Sequence, residues 1–182
     1  MTDLETLYAR NREFASCFHY AEQPGGLDLS TVILTCVDPR ICPAQFMQLD
    51  PGEAFVIRKP GGRVTADVER DVAILAALAK DRPRKDDFPF ELVIVHHTDC
   101  GMEGLADAER RRELCARSGL DEQQLLNLAI ADHRESLRAD IAKLGESPIV
   151  PGELIVSGHI YDIETGALTQ TIAPEPLRSA TG

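Results

Sequence analysis

Positive charge is the first thing this chain is short of: 19 Lys and Arg stand against 30 Asp and Glu, a formal net charge of -11. Nucleic acids and anionic membranes are bound through basic patches that displace counterions, so both partner classes are disfavoured. The one basic cluster, Arg110-Arg111-Arg112, is flanked by Glu109 and Glu113 and reads as a solvated helix face. Long apolar runs are missing too. No stretch reaches membrane-spanning length, and the residues after Met1 lack the basic stretch and apolar run of a secretory leader, so the expectation is a soluble, cytoplasmic protein. Cysteines number only five, an odd count, which favours free thiols or metal ligands over a disulfide framework. Also absent are the Cys-x5-Arg phosphate cradle, the Gly-x4-Gly-Lys loop, the Gly-x-Gly-x-x-Gly turn, Cys-x-x-Cys redox pairs, internal repeats and low-complexity segments.

What is present suits one domain spanning 1–182: 182 residues, 43% hydrophobic, bury a sizeable core but do not comfortably make two. Leu4, Leu7, Tyr8, Phe14, Ala15 and Phe18 recur at helical spacing, predicting an amphipathic helix over about the first twenty residues that ends before Pro24-Gly25-Gly26. A strand is expected over 31–36, then a short helix started by Pro43, a Pro51-Gly52 turn and a strand over 54–57 broken by Lys59-Pro60-Gly61-Gly62. Thr65 can cap a helix with Asp67 and Glu69 in its first turn and an apolar face of Val68, Val72, Leu75, Leu78 and Ala79. After a charged loop over 81–89 come a strand over 91–97, helical stretches over about 103–117 and 121–144, and two strands over about 153–161 and 167–173. Alternating strands and helices imply an α/β fold, a mostly parallel central sheet flanked by helices, with ligands gathered at the carboxyl ends of strands where the order reverses.

Two apolar runs end in metal-binding residue types. Thr31-Val32-Ile33-Leu34-Thr35 ends in Cys36, and Leu92-Val93-Ile94-Val95-His96 ends in His97, followed three residues later by Cys100. Two thiols and an imidazole are the ligand count of a catalytic zinc site with one position open. His97 and Cys100 can turn onto a common ion within one loop, whereas Cys36 must arrive from another strand, so the strands at 31–36 and 91–97 must be close neighbours. Asp99, between two converging ligands, is expected to point away from the metal.

Cys36-Val37-Asp38-Pro39-Arg40, followed by His97-Thr98-Asp99-Cys100-Gly101, resembles the Cys-x-Asp-x-Arg and His-x-x-Cys motifs of the β-class carbonic anhydrases, most of all the short bacterial members. The resemblance runs from the amino-terminal helix through Val56-Ile57-Arg58 and Gly61-Gly62 to Tyr161-Asp162-Ile163. It implies a Zn2+ cofactor on Cys36, His97 and Cys100, and reversible hydration of CO2 to bicarbonate by zinc-bound hydroxide. Two thiolates neutralise the ion, so its water should be harder to deprotonate than at a His-only site, where the pKa is about 7. In the family pattern Arg40 pairs with Asp38, holding that carboxylate off the metal and in place to accept a hydrogen bond from the nucleophile. The resemblance also implies a pocket at a subunit boundary, with the amino-terminal helix packed on a neighbouring subunit of a homodimer or higher even homo-oligomer.

Two places depart from the family pattern. Pro39 stands where Ser or Ala is usual, and the familiar Arg-Asn-Ala-Gly reads Arg58-Lys59-Pro60-Gly61, removing an amide side chain and a backbone donor. Two alternatives therefore stand beside CO2 hydration: hydrolysis of carbonyl sulfide or carbon disulfide on the same zinc site, or a non-catalytic zinc protein closed by Asp38. Strand alternation turns His96 away from His97, so a packed histidine is expected there. His133 and His159 read as structural or as proton shuttles. Cys17, Cys42 and Cys115 read as plain thiols, with Cys42 nearest the motif, and Phe14, Phe18 and Phe55 as core.

Overall fold

Val32, Ile33 and Leu34 form an uninterrupted apolar run between Thr31 and Thr35, and they lie in the most buried strand of the sheet. This is β1 (Thr31–Cys36), buried from Val32 to Cys36 in a computed structural model that describes residues 3–18, 30–80 and 90–178. The expected Pro24-Gly25-Gly26 turn and 81–89 loop lie outside the described residues. The other strands are β2 (Phe55–Lys59), β3 (Glu91–His97), β4 (Ile155–Tyr161) and β5 (Leu168–Pro176), in the order β2-β1-β3-β4-β5. The first four run parallel and only β5 is antiparallel, joined to β4 by a short connection over 162–167. The chain leaves β1 toward β2 on one side and returns to β3 on the other, which puts a topological switch point between the ends of β1 and β3.

The helices are α1 (Asp3–Cys17), α2 (Pro43–Phe46), α3 (Ala66–Lys80), α4 (Ala108–Ser118), α5 (Glu122–Leu126) and α6 (His133–Glu146). Pro43 opens α2 at its first position, where a missing N–H costs nothing. α3 and α6 pack in one cluster with the sheet: Val68, Val72, Ala76, Ala79, Leu137 and Leu144 against Val32, Leu34, Leu92, Ile94 and Val156. Each such Val, Leu or Ile contributes about 1.5–3 kcal/mol by leaving water. Ala76 takes the place expected for Leu78, which is 49% exposed.

The expected long helix over 121–144 is broken. A capping box of Asp121 and Gln124 starts α5, Asp132 caps α6, and residues 127–132 leave the helical path between them. Tertiary pairing overrides helical periodicity there: Ile130 is fully buried, donates its N–H to the Met102 carbonyl, and joins the apolar cluster of Cys36, Ile41 and Cys100. Asp107 likewise interrupts the stretch at 103–117, accepting from the Arg110 N–H as the cap of α4 after a single 3-10 turn at Glu103–Ala106.

Another 3-10 turn, Pro60–Gly62, follows β2 and lies across the ends of β1 and β3. Gly62 has φ +65°, and a Cβ there would meet the Val95 carbonyl oxygen at 3.1 Å and the Thr35 carbonyl carbon at 3.2 Å. Left-handed backbone and close strand approach both demand glycine. Gly62→Ala is expected to lower stability by about 1–3 kcal/mol in urea unfolding; an unchanged midpoint would contradict this close packing.

Candidate metal centre

β1 and β3 pair in parallel with Thr35 beside Val95, so the residues that follow emerge side by side. The donor atoms of Cys36, His97 and Cys100 all lie within 4.8 Å of one another, every one of the three residues buried. Cys36 Sγ and Cys100 Sγ are 4.0 Å apart. His97 Nδ1 lies 2.9 Å from the Thr98 carbonyl, to which it can only donate, so the lone pair belongs on Nε2. That Nε2 is buried and has no hydrogen-bond partner. A lone pair left unused beside two sulfurs is the environment a soft, tetrahedral cation satisfies, so the residues fit zinc.

The sulfurs are electrostatically unequal. The Cys36 thiol is held well below the usual thiol range by the Cys100 side chain and, further, by His97 and the backbone amides of Asp38 and Gly61. Those amides lie 3.4 and 3.2 Å from Cys36 Sγ. Cys100 is pushed up, first by Cys36 and then by burial. Burial opposes a charge on His97, but the nearby Cys36 sulfur and the Thr98 carbonyl raise its pKa overall.

Around the three donors, arginines fix the loops. Arg40 binds Asp38 bidentately, Nε to Oδ1 at 2.9 Å and Nη2 to Oδ2 at 2.7 Å, and its own N–H also donates to Oδ1 at 2.9 Å. The same guanidinium reaches the second loop, donating to Asp99 Oδ2 at 2.6 Å and to the Asp99 carbonyl at 2.8 Å. Asp99 has φ +55° and turns away from the donor group onto Arg40, as expected. Asp38 stands outside the donor group, with Oδ2 4.0 Å from His97 Nε2. Pro39 therefore leaves the Asp38–Arg40 pair intact.

Two supporting residues escaped the reading of the sequence as chemistry. Arg58, opposite Thr35 on β2, donates to the carbonyls of Cys36 (3.0 Å), Asp38 (2.6 Å) and Ile41 (2.6 Å). An arginine near the end of a strand, next to the Lys59-Pro60-Gly61-Gly62 break, was the available signal. Glu103 Oε1 accepts from the Cys100 N–H at 2.9 Å and lies 3.0 Å from His133 Nε2; its position three residues after Cys100 was the only hint. His159 pairs with Ser157 at 3.0 Å, and His96 faces Asp140 on the other side of β3. Cys17, Cys42 and Cys115 lie outside the donor group.

Arg40 hydrogen bonding holds the Asp38 carboxyl down at about 2. A depressed carboxylate stays ionised, and keeps its pair, until pH falls through the folded value. The pH dependence of activity should therefore carry no Asp38 inflection between about pH 4 and 9. An acidic limb that disappears in Asp38→Asn, while the metal stays bound, would contradict this.

Comparisons with known proteins agree with the geometry. A family model described as carbonic anhydrase matches residues 31–168. β-carbonic anhydrase 1 of Mycobacterium tuberculosis is 30% identical over 173 residues, 93% of this chain and 98% of that protein. A solved carbonic anhydrase of Streptococcus mutans superposes with a TM-score of 0.77 at 32% identity, covering 93% of this chain and 98% of its own. A carbon disulfide hydrolase of Acidianus is 23% identical over 75% of this chain and 74% of its own length.

Proposed function

This chain belongs to the β-carbonic anhydrase family, and we propose that it catalyses reversible hydration of CO2 to bicarbonate with zinc held by Cys36, His97 and Cys100. The observation that carries the reading is an Asp38 carboxylate locked by Arg40 beside the donor group but outside it. Zinc bound there would supply the Lewis acidity that activates water as a nucleophile.

The protein's own residues do the rest. Asp38 accepts a hydrogen bond from the attacking water and orients its lone pair toward the carbon of CO2. Arg40 divides its fork between Asp38 and Asp99, which would hold the carboxylate off a zinc bound by Cys36, His97 and Cys100. That arrangement weighs against a non-catalytic, closed zinc protein. Ile41, Phe46, Met102, Ile130, Tyr161 and Ile163 surround the donors with apolar surface, Phe46 stacking on Tyr161 at 4.4 Å between ring centroids. Such walls suit a linear, uncharged substrate.

They suit its sulfur analogues as well, and the Acidianus relative's name supports a second reading, hydrolysis of carbon disulfide or carbonyl sulfide. The exposed apolar side of α1 supports a homodimer or higher even oligomer: Leu4, Leu7, Tyr8 and Phe14 are all more than half exposed. A helix bearing such a stripe needs a surface to cover it, and a second copy of the chain fits the family pattern. No helix among the described residues is long and apolar enough to cross a membrane.

Stopped-flow CO2 hydration, with zinc measured in the same sample, should show fast turnover at about one zinc per chain, three protein ligands serving one ion. Full zinc without turnover, but with carbon disulfide or carbonyl sulfide consumption, would favour the second reading. Arg40→Ala should retain zinc while losing about 10²-fold in kcat, the scale of a misplaced reacting group; unchanged activity would remove the dyad. Sedimentation should give an even oligomer, and a fully active monomer would overturn the assembly.

A further inference from the structure

Asp140 and Arg63 form an ion pair inside the protein, their side chains 0% and 6% exposed. Arg63 Nε donates to Asp140 Oδ2 at 2.7 Å and Nη2 to Oδ1 at 3.2 Å, while Nη1 donates to the Ala129 carbonyl. His96 Nε2 stands 3.6 Å from the same carboxylate, fully buried. A buried pair of this kind recovers little or none of its desolvation cost, so its presence asks for a reason other than stability.

Its position supplies one. Arg63 closes the Pro60–Gly62 turn, its N–H reaching the Pro60 carbonyl at 3.4 Å. Its Cγ lies 3.1 Å from where a Gly61 Cβ would stand, so the side-chain stem covers Gly61 directly. Gly61 is the residue whose N–H points at Cys36 Sγ from 3.2 Å. Beyond the stem, the guanidinium is tied to α6 through Asp140 and to residues 127–132 through Ala129, whose neighbour Ile130 packs on Gly61 and Cys36. Lys143 Nζ adds a bond from α6 to the Val64 carbonyl at 3.4 Å.

We propose that Arg63, held by Asp140, is a positioning residue that clamps the Pro60–Gly62 turn so that the Gly61 amide stays on the Cys36 sulfur. The proposal rests on the reading of Cys36 as a metal ligand and extends it. An N–H aimed at a thiolate draws electron density from the sulfur, so the clamp sets how strongly Cys36 donates to the ion. Pro60 has no part in that bond: at the first position of the turn its missing N–H is not needed, and the donor is the next residue. The family's polar loop can thus become Lys59-Pro60 while the sulfur keeps its amide.

Two variants test the clamp in the full-length protein. Arg63→Met/Asp140→Leu replaces the pair by apolar side chains of similar volume, a change that often leaves a fold as stable as before. Arg63→Lys keeps the charge against Asp140 but loses the fork and the Ala129 bond. The readouts are Gly61 amide exchange by NMR, zinc affinity by chelator competition, and the thiolate-to-metal absorption of the cobalt-substituted protein. Both variants should exchange the Gly61 amide faster, bind zinc about tenfold to hundredfold more weakly, and shift the cobalt band, at unchanged secondary structure. If the double variant does not fold, Arg63→Lys alone decides the question by the same three readouts. Parent-like exchange, affinity and absorption would overturn the clamp while leaving the metal reading intact. A parent protein that takes up neither zinc nor cobalt would overturn both.

Discussion

Parallel pairing of β1 with β3 is the constraint on which the site depends, because it places Cys36 beside His97 and Cys100 although the two segments are far apart in the chain. Neither half makes a site alone. His97 and Cys100 offer an imidazole and one thiol from a single loop, and Cys36 offers a thiol at the end of a strand. Val32, Leu34, Leu92 and Ile94 are buried in one cluster with α3 and α6, so the packing that favours the pairing also brings the candidate donors together. Direct succession of β1 and β3 in the sheet, with β2 on the outer side, opens the gap between their ends where the three donors meet.

Once that gap is open, three arginines keep its loops in place, although the chain as a whole is acidic. Arg40 joins the loop after β1 to the loop after β3, Arg58 gathers three carbonyls of the first loop, and Arg63 ties the Pro60–Gly62 turn to α6. Loop backbone near a buried site has carbonyls that no strand or helix partner satisfies, and a planar guanidinium can satisfy several at fixed angles. Lysine, a single mobile ammonium, does not do this equally well.

Proline at two positions inside the motifs changes less than residue identity suggests. Pro39 lies between Asp38 and Arg40 without preventing three hydrogen bonds between them. Pro60 heads a turn whose working donor is Gly61. In both cases the functional bonds come from neighbouring residues, so the local restriction in φ is absorbed by backbone that already turns there.

The strands, the order in which they occur, and the donors Cys36, His97 and Cys100 were legible in the sequence, because continuous apolar runs ending in Cys or His combine a burial signal with a chemical one. The Asp38–Arg40 pair was legible through resemblance to family motifs, and the opposite facings of His96 and His97 through strand alternation. Tertiary structure alone decided where the expected long helix breaks, since helical periodicity continues through 127–132 while Ile130 and the Ala129 carbonyl find partners elsewhere. It also decided the work of Arg58, Arg63, Glu103 and Asp140, whose partners lie on other elements. A charged residue announces its chemistry in the sequence, but its role depends on which carbonyl or carboxylate the fold brings within about 3 Å of it.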